Sequence, residues 1–417
     1  MAERADAAAR RQEQGMQTMI VAASTFLASL LSMDVGQAAE SAGSGLTAVE
    51  LLGKRLFFDE SLSIGRNQSC AVCHGRDVGW TGPVEEIDVH GAVYEGSVPG
   101  RFGPRKPPSS AYAPFSPPLH RTPEGEFVGG NFWDGRATGE ELGTPAADQA
   151  QGPFLNPVEQ ALPDAAAVVA RACSLESEYW LLLRFVWGIV VCDDVDAAFA
   201  AIARSIARYE ASREMSPFSS KFDLYLAGEV ALTDQERRGL SLFKGEAKCN
   251  SCHAIAGPDD GGPPLFTDFT FANIGAPRNP ENPYYTQPPA INPLGEAYVD
   301  LGLGGFLAAR PEYAEYAAAN EGKHRVPTLR NVDRRPWPSF TKAYGHNGYF
   351  KSLEEMVHFY NTRDVLPPCG ANDPGEKITC WPASEVPRNL DADVGDLGLT
   401  PAQEADIVAF LRTLTDR

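Results

Sequence analysis

Two short segments of this chain have the residue types and the spacing that attach a haem covalently. Residues 70–74 read Cys-Ala-Val-Cys-His, and residues 249–253 read Cys-Asn-Ser-Cys-His. In a Cys-x-x-Cys-His motif the thiols form thioethers with the haem and the histidine is an axial ligand of the iron. A lone Cys-x-x-Cys is also found in redox dithiols and in zinc sites, but neither needs the trailing histidine. The repeat therefore predicts two c-type haems, with thioethers and proximal histidines at Cys70, Cys73, His74, Cys249, Cys252 and His253.

The sixth ligand of each haem decides its chemistry, because an open position binds peroxide whereas a filled one only transfers electrons. Methionine ligands are scarce, since only Met215 and Met356 lie outside the first 40 residues. The imidazoles outside the haem motifs are those of His90, His120, His324, His346 and His358.

Each haem motif follows a segment with apolar residues at helical spacing, at 50–58 and at 232–243. The order of helix, linker, motif and long loop thus occurs twice, which indicates an internal repeat. We expect further helices at 165–173, 195–213, 353–360 and 401–414, the last capped by Thr400 with Pro401 at its first position.

The length of 417 residues, 43% of them hydrophobic, is enough for two cores. The 33 prolines and 39 glycines predict long loops between modest helices. No strand-rich region is evident. We therefore predict a mainly α fold of two cytochrome c-like domains, 39–215 and 216–417, each enclosing one covalently bound haem, with the boundary at Pro217.

The first 38 residues have the features of a secretory signal peptide. Two arginines at positions 10 and 11 precede an apolar run at about 19–31, and small residues at 36–39 provide a cleavage site. The run is shorter than the ~20 residues of a spanning helix, although an uncleaved anchor is the alternative. Export fits the covalent attachment of haem outside the cytoplasm, so we expect a periplasmic protein without stable membrane insertion.

Four further cysteines lie outside the haem motifs. Three connectivities are open, and pairing in sequence order, Cys173 with Cys192 and Cys369 with Cys380, closes the shortest loops. We expect these cysteines to be structural disulfides in an oxidising compartment.

The chain is acidic, with 36 Lys and Arg against 55 Asp and Glu and a formal net charge of −19. Nucleic acids and anionic membranes are therefore poor partners. An acidic surface of this kind would suit a basic electron-donor protein as a partner. It is equally typical of a well-solvated surface that binds no partner.

Five other motifs follow one another in a fixed order. They are Phe-Trp-Asp-Gly-Arg-Ala at 132–137, Gln-Gly-Pro-Phe-Leu-Asn-Pro-Val-Glu at 151–159, Val-Pro-Thr-Leu-Arg-Asn at 326–331, His-Asn-Gly at 346–348 and Leu-Glu-Glu at 353–355. With the two haem motifs, this order resembles the bacterial dihaem cytochrome c peroxidase and MauG superfamily over nearly all of the chain after residue 38.

The resemblance implies roles for four residues. Trp133 is expected between the haems as an electron or hole relay, although a tryptophan can also simply pack a domain interface. Glu159 is expected over the first haem, where it takes a proton from peroxide and returns it to the leaving oxygen. Gln149 and Pro153 are expected to line the same pocket. Taken alone, an Asn-Pro-x-Glu segment would be a surface turn.

The resemblance also places a tyrosine or a methionine on the second haem iron. Counted from the Leu-Glu-Glu motif, the residue at this position is Tyr360, as in MauG-like members, whereas peroxidases carry methionine. Met356 is the rival ligand, since it lies four residues earlier on the same helix face. A phenolate is a hard anionic donor that stabilises high oxidation states of iron. We therefore place the chain in the MauG-like branch, with a His/Tyr second haem.

Two features of the family pattern are altered. His90 lies where reductively activated peroxidases place a distal histidine, but its surroundings do not match their loop. An interdomain calcium ion of the family would here meet Lys106 and the carbonyls of Thr341 and Ala343. The ammonium group of Lys106 would compete with a cation.

We expect a periplasmic enzyme in which hydrogen peroxide reacts at the His74 haem and oxidising equivalents pass through Trp133 to the second haem. Its substrate would be an aromatic side chain of a partner protein. The alternative is a cytochrome c peroxidase supplied by a small donor protein. A non-catalytic dihaem electron-transfer cytochrome would need two six-coordinate haems and no pocket glutamate.

Overall fold

The computed structural model describes residues 45–256, 261–370 and 373–417, so the expected signal peptide at 1–38 lies outside the described residues. This part of the chain is mainly helical. Helices α1 to α12 are, in order, Ala48–Phe57, Cys70–Cys73, Glu85–Val89, Pro145–Leu155, Ala165–Ala172, Trp180–Trp187, Val195–Glu210, Lys221–Leu226, Asp234–Lys244, Gly302–Ala308, Leu353–Thr362 and Pro401–Arg412.

Strand structure in the described ranges is confined to two short antiparallel ribbons. The strands β1 to β4 are His120–Arg121, Phe127–Val128, Phe271–Ala272 and His324–Arg325. Strand β1 pairs with β2, and β3 pairs with β4, which brings residue 271 opposite residue 325. Across the three described ranges, none of the helices is both long and apolar enough to span a bilayer.

The predicted helices are present, with ends displaced by one to three residues. The cap expected at Thr400 is present, and two further helices begin after a capping threonine that was not predicted. Thr47, Thr233 and Thr400 each accept a hydrogen bond from a backbone N–H of the first turn, and the third helical residue bonds back to the cap. Pro401 occupies the first position of α12, where its missing N–H costs nothing.

Two large apolar cores follow one another along the chain. The first is formed by residues between 46 and 215 together with Leu265, and helices α1, α4, α5 and α6 pack around α7. The second is formed by residues between 222 and 414, where α12 packs on α9 and α11.

Both cores use the same helix crossing, in which a glycine allows two backbones to touch. A Cβ atom on Gly53 of α1 would lie 1.9 Å from the Ser205 carbonyl oxygen of α7. A Cβ atom on Gly239 of α9 would lie 1.9 Å from the Asp406 carbonyl oxygen of α12. The helix before each haem motif therefore meets the last helix of its core in the same way, which is the structural counterpart of the sequence repeat.

Two disulfide bonds are present, Cys173–Cys192 and Cys369–Cys380. This confirms the pairing in sequence order. The four cysteines of the Cys-x-x-Cys-His motifs take no part in a disulfide bond.

Candidate active site

Each Cys-x-x-Cys-His motif faces a cavity in its own half of the molecule. The first cavity is lined by Cys70, Cys73 and His74 together with apolar side chains such as Phe57 and Ile206. The second cavity is lined by Cys249, Cys252 and His253, with Phe243 and Leu411 among the apolar side chains. Paired thiols, an imidazole and an apolar lining are the groups that hold a covalently attached haem, so the residues present fit that cofactor.

The hydrogen bonds and the burial of both motif histidines favour the neutral imidazole, with Nε2 free to bind a metal. His74 Nδ1 lies 3.1 Å from the Trp80 carbonyl oxygen, and His253 Nδ1 lies 2.9 Å from that of Phe266. An Nδ1–H that donates to a carbonyl leaves the lone pair on Nε2 for a metal. Burial lowers the pKa of His74 to about 4 and also lowers the pKa of His253. Both imidazoles are therefore available as iron ligands at neutral pH.

The first cavity contains the expected acid/base group. Glu159 follows the end of α4, and Asn156 Nδ2 donates to its Oε1 atom at 2.7 Å. Gln149 and Pro153, one turn apart on α4, line the same cavity. Burial raises the pKa of Glu159, against the opposing effects of the Arg136 charge and the Asn156 hydrogen bond. A buried carboxyl group with a raised pKa can take up and release a proton within this cavity.

Trp133 lies in the wall between the two cavities and lines both of them. Its Nε1–H donates to the Lys106 carbonyl oxygen at 2.8 Å, and its own carbonyl accepts from the Arg325 N–H at 2.8 Å. The next residue, Asp134, is ion-paired with Arg105 at 2.6 Å. These contacts hold the indole at the place where a relay between two bound haems would be needed.

The same wall carries two buried cations that sequence reasoning did not assign to haem binding. Lys106 and Arg325 line both cavities. Burial lowers the pKa of Lys106 to about 8 and that of Arg325 to about 10. Neither cation has a carboxylate within ion-pair distance in the described ranges. Buried charges are normally paired, and haem propionates would supply the missing anions.

The second cavity holds both candidates for the other axial ligand. Tyr360 and Met356 lie one turn apart on α11, and both line the cavity with His253. Burial raises the pKa of Tyr360. The assignment of either side chain to the iron stays a prediction.

His90 lies outside the first cavity. Its exposed imidazole is 3.2 Å from Glu281 Oε1 and 3.4 Å from Glu86 Oε1. The structure thus places the His90 imidazole beside two surface carboxylates and away from the lining of either cavity, and a ligand role for His90 stays a prediction.

The region of the expected calcium ion contains two lysine ammonium groups. Lys106 Nζ donates to Thr81 Oγ1 at 2.7 Å, and Lys342 Nζ donates to three backbone carbonyl groups, including that of Val78 at 2.9 Å. Lys342 separates the two residues whose carbonyls were expected to bind calcium, Thr341 and Ala343. Positive charge on both lysines opposes a divalent cation here.

A buried histidine pair beside Trp133 was not predicted from the sequence. The rings of His324 and His346 stack with their centroids 3.6 Å apart, and His346 meets the Trp133 ring edge-on at 6.5 Å. Burial and the neighbouring His324 lower the pKa of His346 well below its ordinary value. Asp300 lies 3.4 Å from His324. Because the rings are parallel, their in-plane lone pairs do not converge on one point, and a shared metal ion would require a ring to rotate.

Comparison with known proteins identifies relatives that match most of this chain. The family model described as di-haem cytochrome c peroxidase matches residues 47–231. The methylamine utilization protein MauG of Paracoccus denitrificans is 37% identical over 381 residues, 91% of either chain. The cytochrome-c peroxidase IdrP2 of a Pseudomonas species is 28% identical over 90% of this chain and 83% of its own. The crystal structure of the diheme peroxidase BthA from Burkholderia thailandensis matches with a TM-score of 0.72 and 32% identity, covering 88% of this chain and 86% of that one.

Proposed function

Because the chain belongs to the dihaem cytochrome c peroxidase and MauG family, we propose that it is a periplasmic enzyme that uses hydrogen peroxide to oxidise an aromatic side chain of a partner protein. It is a dihaem oxidoreductase, as the family's members are. The observation that carries the proposal is the position of Trp133 in a wall shared by both cavities. The 37% identity to MauG supports the choice of a protein substrate.

We assign one covalent c-type haem to each cavity, within cytochrome c-like domains at 39–215 and 216–417 that follow a signal peptide at 1–38. When bound, the haems supply the redox chemistry, with peroxide reduced on the His74 side and an oxidising equivalent stored on the His253 side. Tyr360 is the proposed second ligand on the latter side. Lys106 and Arg325, which line both cavities with Trp133, would pair with the haem carboxylates when the haems are bound.

Glu159 is the proposed acid/base residue of the first cavity. Its carboxylate accepts a proton from peroxide and returns it to the departing oxygen, while the Asn156 amide keeps the carboxylate oriented. Gln149 and Pro153 limit the space beside it, which favours a ligand as small as peroxide. Each peroxide takes two electrons and two protons and leaves as two water molecules. The electrons come from the partner's side chain.

A cytochrome c peroxidase supplied by a small electron-donor protein is the second candidate. It is favoured by Met356, which lines the second cavity beside Tyr360, and by the relationship to IdrP2. The acidic surface suits a basic donor. A non-catalytic electron-transfer cytochrome is disfavoured, because a buried acid/base carboxyl group serves no purpose in it.

The experiment that separates the two candidates starts from the fully oxidised holoenzyme. We expect stoichiometric hydrogen peroxide to change the haem absorption spectrum without prior reduction, and to leave the enzyme able to oxidise added tyrosine derivatives. The Trp133→Phe variant should still react with peroxide but pass on the oxidising equivalent more slowly. An oxidised enzyme that is inert until half-reduced, and then turns over with a reduced c-type cytochrome, would establish the peroxidase instead.

A further inference from the structure

An apolar hairpin lies on the surface of the first core, and a disulfide bond joins its two ends. It comprises residues 173–192, with α6 at its centre and the Cys173–Cys192 bond joining its ends. Large apolar side chains face solvent along it: Leu175 and Phe185 are 76% exposed and Ile189 is 73% exposed, with Leu181 and Val190 more than half exposed. Leu181 and Phe185 lie one turn apart on α6 and so share a face of that helix. Large apolar side chains exposed together in this way mark interaction sites.

The inner face of the hairpin packs against the first core. The apolar side chains on its outer face are therefore exposed although the hairpin itself is held in place. Tyr179 and Leu183 are buried in the first core. The Tyr179 hydroxyl donates to Asp59 Oδ2 at 2.6 Å, and the Trp187 indole N–H donates to Ser205 Oγ at 2.9 Å. A rigid, pre-ordered apolar surface loses little entropy when it binds.

Acidic residues border the exposed side chains at both ends of the hairpin. Glu176 and Glu178 precede α6, and Asp193 and Asp196 follow the disulfide, all of them exposed. In a two-fold contact between copies of this chain, these carboxylates would meet other carboxylates, and the net charge of −19 would add to the repulsion. An anionic bilayer is opposed by the same charges. One cation, Arg184, lies on α6 with its guanidinium 5.5 Å from the centre of the Trp180 ring, and the four carboxylates at the ends of the hairpin outnumber it. The charge pattern therefore favours a partner with basic residues around an apolar centre.

We propose that this hairpin is a docking surface for a protein that presents apolar side chains bordered by lysine and arginine. None of the hairpin residues lines either haem cavity, so the inference goes beyond the proposed reaction and does not depend on it.

The test uses the holoenzyme and a fluorescently labelled amphipathic helical peptide whose leucine face is flanked by lysines. We expect fluorescence anisotropy to show binding that weakens with added salt. The double variant Leu181→Ser/Phe185→Ser should weaken binding roughly 10-fold or more, because two apolar contacts are lost. The charge variant Glu176→Gln/Asp193→Asn should weaken it without changing the apolar surface. Ile378→Ser is the control, since Ile378 is 68% exposed outside the hairpin.

Three results would overturn the proposal. The first is equal binding of a peptide whose lysines are replaced by glutamates, because charge would then play no part. The second is hairpin-dependent binding to phosphatidylcholine vesicles, or sedimentation of a dimer that Phe185→Ser dissociates, either of which identifies a different occupant. The third is that the lysine-flanked peptide does not bind.

Discussion

Two carboxyl groups line the first cavity, and their surroundings give them different roles. Glu159 accepts a hydrogen bond from Asn156, whereas burial raises the pKa of Glu210 to about 8 and leaves its Oε2 atom without a partner. Glu210 is therefore protonated at neutral pH and cannot take a proton from peroxide.

We expect Glu159→Gln to slow the reaction with peroxide by roughly 100-fold, because the variant keeps the shape of the side chain but loses the proton acceptor. Stopped-flow absorption of the oxidised holoenzyme measures this rate. Glu210→Gln is the matched control and should leave the rate nearly unchanged. Equal rates for wild type and Glu159→Gln would remove Glu159 from the mechanism.

The raised pKa of Glu210 also predicts how stability depends on pH. The folded protein holds this proton up to about pH 8, whereas the unfolded chain releases it near the ordinary value of 4.5. Stability from this group is complete below about pH 4.5 and declines as the pH rises to about 8. Glu210→Gln should therefore gain thermal stability relative to wild type as the pH is raised across this range. A constant difference in melting temperature would contradict this assignment.

The choice between Tyr360 and Met356 is tested by replacing each in turn. Tyr360→Phe removes the phenolate, so the second haem should become high-spin or take a different ligand, which visible and electron paramagnetic resonance spectra detect. Met356→Leu keeps the apolar volume of α11 and should leave the spectra nearly unaltered. The opposite pattern would make this a methionine-ligated haem.

The two glycine crossings join α1 and α9, the helices that precede the haem motifs, to α7 and α12, the last helices of the two cores. Gly53→Ala and Gly239→Ala should each lower the free energy of unfolding by about 1–3 kcal/mol, because the helices must move apart to admit a methyl group. Thermal denaturation of the holoenzyme measures the loss. Gly103→Ala is the control, since its Cβ would meet only a Val158 methyl group at 3.5 Å. If Gly53→Ala and Gly239→Ala are as stable as the wild type, the helices at these crossings can move apart without loss, and the prediction is wrong.

Helices with a capping threonine and regular apolar spacing could be predicted from the sequence, because both signals are local. The loop that carries Trp133 could not. Its shape depends on Phe132 at a φ of 63°, on the Asn131–Ala137 backbone bridge and on the ion pair from Arg105 to Asp134. The first two features are local, but the ion pair joins residues that are 29 positions apart in the sequence, so the local sequence around Trp133 could not predict it.

In the molecule as a whole, the proposed function depends on the wall between the two cavities. Lys106 and Trp133 come from loops that follow the first haem motif in the sequence. Arg325 comes from strand β4, which follows the second motif. The motifs predicted what each half binds, but the sequence did not show that buried cations would be shared by both cavities. The spacing of His90 from His74 made it a candidate ligand. Its contact with Glu281, which is 191 residues further along the chain, could not be predicted from that spacing.

The proposed mechanism requires the first haem to keep an open position for peroxide and the second haem to be closed by a protein ligand. Electron paramagnetic resonance of the fully oxidised holoenzyme tests it directly. We predict one high-spin and one low-spin ferric haem in equal amounts, with added fluoride changing only the high-spin signal. Two low-spin haems in the oxidised enzyme would contradict this mechanism.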